Sequence, residues 1–220
     1  MLPIRDEERL PSLPLATFAL AAANLVVFLW ELSLPAERLQ AVVNGFGAVP
    51  FEIARFTHLT GAPRVPNPAT LFTCQFLHGG WLHLVGNVLY LWTFGRRVEG
   101  ILGRIRFVLF YLLCGAVAGL VQVVMTPQSR LPLIGASGAV AGVLGAWFVR
   151  FPFHRIRILI PLVILFPAVR VPAWIFLGGW FWLQWQAAGG EEGIAWYAHI
   201  GGFLAGVVLA LGRSRGSRRN

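Results

Sequence analysis

Ser137, in the stretch IGASGAVAG (134–142), is the one serine of this chain that falls inside an apolar run. His83 and Asn87 stand in HLVGN with a spacing that puts them on one helical face, one above the other. His199 opens HIGGFLAG. A hydroxyl nucleophile, an imidazole that takes its proton near neutral pH, and hydrogen-bond donors for a tetrahedral oxyanion are the set that acyl transfer needs. Asp6 is the only aspartate and precedes the first apolar run, so the expected arrangement is a Ser/His dyad of Ser137 and His199. Tyrosine or backbone groups are the candidates to orient the imidazole. His83 and Asn87 are the candidate oxyanion donors.

The elements that must position these groups lie in a membrane. The chain is 57% hydrophobic and only 12% charged, against about a quarter charged in soluble domains. Its apolar runs are parsed as six spanning helices at 14–33, 79–95, 102–125, 136–151, 172–187 and 195–212. The fold class is therefore all-α, a polytopic six-helix bundle. Lipid leaves backbone groups unsatisfied unless the segment is helical, and the runs lack the alternation of a barrel strand. A polar group at membrane depth is costly, which makes each one a functional candidate. The spans hold Asn24, His83, Asn87, Gln122, Ser137, Gln184 and His199, with Glu31 and Glu99 near ends. Spans two, four and six run in the same direction, and His83, Ser137 and His199 lie in their first two turns, at a shared depth of about 5–15 Å. Gly202 and Gly206 on span six, and Gly138, Ala141, Gly142 and Gly145 on span four, form small surfaces that let backbones approach closely.

All 18 basic residues are arginine and the net charge is +9. Nucleic-acid binding is not expected, because the arginines sit at the ends of apolar runs, where they record orientation. With six spans, Arg5, Arg9, Arg96, Arg97, Arg104, Arg106, Arg150, Arg155, Arg157, Arg170 and the tail arginines share one side. Both termini are then expected in the cytoplasm, with residues 1–13 and 213–220 as tails around a core of 14–212. All-arginine basicity suggests a prokaryotic plasma membrane. The long loop 34–76 is expected to lie partly in the interface, and ILIPLVILFPAV (158–169), broken by two prolines, to be an irregular connection. Cys74 and Cys114 do not suggest a disulfide framework. No HExxH helix and no pair of membrane aspartates is present, so metallo- and aspartyl proteolysis are set aside, and neither metal nor cofactor is expected.

The motifs HGGWLHLVGN (78–87), GASGA (135–139) and AHIGGFLAG (198–206), in this order on spans two, four and six, resemble the rhomboid family of intramembrane serine proteases. Glu99 in FGRRVEG is similar to the family's glutamate there. The resemblance implies Ser137 as nucleophile, His199 as general base and acid, and His83 with Asn87 as oxyanion donors beside the Ser137 backbone N–H. His78, Gly135 and Gly138 would support them. It further implies cleavage of transmembrane protein substrates in the bilayer near their outer ends. The fifth span and the segment QAAGGEEG (186–193) would act as a lateral gate and cap. The oligomeric state is not legible. The alternatives are an inactive rhomboid-like protein that binds membrane clients, and a transporter using the histidines as a proton path.

Overall fold

A computed structural model describes residues 2–6, 13–59, 65–159, 168–190 and 193–212, and over these the chain is mainly helical. In order, the helices are α1 (Leu15–Leu32), α2 (Ala36–Phe46), α3 (Pro50–Arg55), α4 (Asn67–Thr73), α5 (Trp81–Tyr90), α6 (Arg96–Leu102), α7 (Arg104–Met125), α8 (Ser137–Arg150), α9 (Ala173–Ala187) and α10 (Trp196–Leu211). A single π-helical turn, Leu91–Gly95, joins α5 to α6. Each of the six apolar ranges contains a helix. By length and composition α1 and α7 suffice to cross a membrane, while α8 and α10 are apolar but shorter. At about 1.5 Å per residue, α8 is about 21 Å long against a hydrocarbon core of about 30 Å.

Glycine decides which helices touch. A β-carbon on Gly202 or Gly206 of α10 would run into the backbone carbonyls of Gly138 or Gly142 on α8, and one on Gly145 would strike the Phe203 carbonyl. Backbone cannot yield as a side-chain tip can, so only glycine allows this seam. On its other side α8 meets α7, where a β-carbon at Gly138 would lie 2.6 Å from the Ala118 β-carbon.

Polar groups fasten this core at its edges. Pro14 supplies no side-chain cap for α1. The buried Glu99 carboxylate does so instead, accepting from Ala16 N at 2.9 Å, Thr17 N at 2.7 Å and Thr17 Oγ1 at 2.8 Å. A carboxylate suits a helix N-terminus because free N–H groups and the dipole both favour negative charge. Trp147 Nε1 of α8 donates to Phe94 O, within the π turn, at 2.9 Å.

One region differs from the all-α expectation, and the first loop carries helices of its own. Strands β1 (Leu2–Asp6), β2 (Arg155–Leu159) and β3 (Ala168–Pro172) form an antiparallel sheet in the order β1-β2-β3. In β2, Ile156 and Ile158 turn into the core while Arg155 stays exposed, a period of two that marks a half-buried strand. Part of the apolar connection 158–169 thus belongs to this sheet, and 160–167 lie outside the described residues. The loop 34–76 is largely built from α2, α3 and α4. Paired hydrogen bonds between Ala48 and Leu133, at 3.0 and 2.8 Å, tie it to the segment before α8.

Candidate active site

Ser137 is the first residue of α8, and its hydroxyl does not cap that helix. Ser137 Oγ instead lies 2.9 Å from His199 Nε2. The side chains come from two helices that Gly145, Gly202 and Gly206 allow to approach backbone to backbone. His199 sits in the first turn of α10, with the rings of Trp180 and Trp196 centred 6.0 and 6.1 Å from its imidazole.

His83 and Asn87 share one face of α5, as their spacing requires. His83 Nδ1 accepts a long hydrogen bond from Gly79 N at 3.5 Å, which leaves the proton on Nε2. That Nε2 faces Gly135, whose φ of +116° is available to glycine and strained for other residues. A β-carbon there would stand 2.5 Å from His83 Nε2. Asn87 is 7% exposed and its Nδ2 has no hydrogen-bond partner among the described residues. A buried donor without a partner is costly, so one pointing into a reaction site is available to a ligand. His78 packs edge-on against His83, with ring centroids 5.1 Å apart. Its backbone N–H donates to Glu31 Oε2 at 3.1 Å and its Nδ1 lies 3.2 Å from Phe76 O. Burial, with His83 adding to it, holds the His78 imidazole down to about 4.

Two cavities meet at these groups. One of about 450 Å³ is lined by His83, Gln122, Ser137 and His199 together with the segments 131–134 and 193–195. The other, about 250 Å³, lies between α5 and α9 and is lined by Leu82, Asn87, Tyr90, Leu144 and Trp180 besides the same serine and two histidines. Ser137, His199 and His83 line both cavities, and Asn87 reaches the second. His78 lies one ring further back. Gly135 and Gly138 act through the space they leave empty. Among the described residues no group of three or more acidic, histidine or cysteine side chains could hold a metal.

Two glutamines have contacts that spacing alone did not reveal. Gln184 Oε1 of α9 lies 2.7 Å from His199 Nδ1. Gln122 Oε1 of α7 accepts from Ala198 N at 3.1 Å, satisfying a first-turn N–H of α10 beside the histidine. Both stood out as polar residues within apolar runs. What hid their partners was the rotation of α7 and α9, which composition does not set.

A model of the rhomboid domain matches residues 66–216. The chain is 34% identical over 153 residues to the mitochondrial Rhomboid protein 1 of Saccharomyces cerevisiae, covering 66% of this chain and 41% of that protein. It is 36% identical over 110 residues to the mitochondrial Presenilin-associated rhomboid-like protein A of Danio rerio, covering 46% and 29%. It is 43% identical over 76 residues to Rhomboid protease GluP of Bacillus subtilis, covering 34% and 14%. The chain thus spans less than half the length of each of these curated relatives. The expectation of a prokaryotic plasma membrane is corrected here. The matches covering the larger shares of the chain are to mitochondrial and other eukaryotic proteins, and these do not support a prokaryotic assignment. Arginine clustering reports which side of a membrane a loop faces and carries no signature of which membrane it is. The domain match covers well over half of the sequence, and the chain belongs to the rhomboid family.

Proposed function

We propose that this membrane protein is an intramembrane serine endopeptidase that cleaves transmembrane segments of other proteins near their outer ends. The proposal includes six membrane spans within residues 14–212, flanked by tails at 1–13 and 213–220. The observation that carries it is the 2.9 Å contact between Ser137 Oγ and His199 Nε2, at the meeting point of two cavities.

In this reading Ser137 Oγ attacks the scissile carbonyl while His199 Nε2 takes the hydroxyl proton. Negative charge develops on the carbonyl oxygen. It is met by the Ser137 backbone N–H at the start of α8, by His83 Nε2–H and by Asn87 Nδ2, a donor with no other partner among the described residues. Collapse of the tetrahedral intermediate breaks the C–N bond, and His199 returns the proton to the leaving amine. Water then attacks the acyl-serine, giving its proton to His199, which passes it to Ser137 Oγ as the acid product leaves. The apolar cavity between α5 and α9 suits a substrate helix entering from lipid, and the larger cavity suits water.

The test is incubation of the purified chain with a single-span substrate carrying small, helix-breaking residues near its outer end, followed by mass analysis of the products. Ser137→Ala should abolish cleavage and leave folding intact. Undiminished cleavage by that variant would refute the assignment, and binding of the substrate without cleavage by the unaltered protein would favour a client-binding role.

A further inference from the structure

We propose that Gln184 is the positioning residue of the dyad: its amide oxygen holds His199 with the proton on Nδ1, so that Nε2 presents its lone pair to Ser137. The inference rests on the protease reading above.

An amide oxygen can only accept. At 2.7 Å from Nδ1, Gln184 Oε1 therefore selects the tautomer protonated there. Nε2, 2.9 Å from Ser137 Oγ, is then free to receive the hydroxyl proton. The reverse tautomer would aim an N–H at the serine, and no base would be available. Gln184 is 8% exposed, so bulk water does not compete for the imidazole at this point. One turn earlier on the same helix face, the Trp180 ring lies beside the imidazole and limits its rotation. The titratable groups facing these cavities from α5 are His83 and Tyr90, α8 and α9 present the uncharged Ser137 and Trp180, and Gln184 meets the imidazole at Nδ1.

A neutral partner suits the location. An aspartate or glutamate in an apolar site carries a desolvation cost that an amide avoids, while the amide still supplies direction. The orienting role therefore falls to a helix other than the two that carry the reacting groups.

The test compares Gln184→Met, which keeps length and loses the acceptor, with Gln184→Glu, which keeps an acceptor oxygen. The rate of Ser137 labelling by a fluorophosphonate reports on the dyad without requiring a transmembrane substrate to bind. Gln184→Met should slow labelling by on the order of 10-fold or more, a part of what a general base contributes. It should lower kcat of model-substrate cleavage by a similar factor and leave KM unchanged. Gln184→Glu should recover most of the labelling rate and displace its pH profile, because a carboxylate beside the imidazole titrates with it. Gel filtration and thermal unfolding check that both variants fold. Labelling of Gln184→Met at the unaltered rate, a loss confined to KM, or equal losses in the Met and Glu variants would overturn the positioning role. Should Ser137→Ala still cleave in the same assay, the protease reading itself falls and takes this inference with it.

Discussion

Gly138→Ala is the sharpest test of the packing argument. The added carbon would stand 2.6 Å from the Ala118 β-carbon and 3.8 Å from the Ala198 carbonyl oxygen. Non-bonded carbons settle at about 3.5–4.0 Å, so α8 and α7 must part by about 1 Å. Neither contact atom is the tip of a flexible side chain, so the helix moves rather than a rotamer. Gly138 adjoins Ser137, whose Oγ sits 2.9 Å from His199 Nε2, and a displacement of that size breaks the hydrogen bond. A misplacement of about 1 Å costs on the order of 10²-fold in rate, and overpacking costs about 1–3 kcal/mol in stability. The assay is cleavage of a model substrate in detergent, paired with thermal unfolding. Gly179→Ala is the control: nothing lies within 4 Å of its added carbon, and stability should change by no more than about 1 kcal/mol. A Gly138→Ala protein that is as fast and as stable as the original would refute the reasoning.

Asn87→Ala should lower kcat by about 10²–10³-fold with KM little changed, as removal of an oxyanion donor does; a loss confined to KM would assign Asn87 to binding. Glu99→Gln puts an amide NH₂ where the carboxylate accepts three hydrogen bonds, and should destabilise the fold by about 2 kcal/mol, read as a lowered unfolding midpoint. For His78, the folded imidazole is held near 4 against an ordinary 6.5. Its contribution to stability is therefore intact above pH 6.5 and is lost as pH falls toward 4. His78→Asn should flatten that part of the stability profile, measured by thermal unfolding across the same range.

The meeting of Ser137 with His199, and the shared face of His83 and Asn87, were legible because polar groups in apolar helices are few and helical spacing fixes which of them stack. Gly138, Gly202 and Gly206 were legible as a small-residue seam. Gln184 was visible as a residue but not as a partner of His199. Helix α9 is apolar on nearly every side, with Trp174, Trp182 and Trp185 exposed and Phe176 and Leu177 buried, so no polar stripe announces its rotation. The sheet was missed for a different reason. RIRIL at 155–159 does alternate, but it runs into the apolar stretch 158–169, and a strand of five residues signals weakly beside six long apolar runs. The first loop hid α2, α3 and α4 because a short amphipathic helix has too few turns to establish a period.

The sheet bears on how α9 can move. Strand β3 leads directly into it and is paired along its length with β2, while Ala173 N and Trp174 N donate to His154 O at 2.8 Å and Pro152 O at 2.9 Å. One end of the helix is therefore riveted, and the opposite end carries the Gln184 contact. Any outward excursion becomes a swing about the riveted end, like a door on its post. For a lever of about 20 Å, a tilt of about 10° carries the free end about 3–4 Å. Little of that travel is felt at the sheet, whereas the imidazole, touching the lever near its free end, senses nearly all of it.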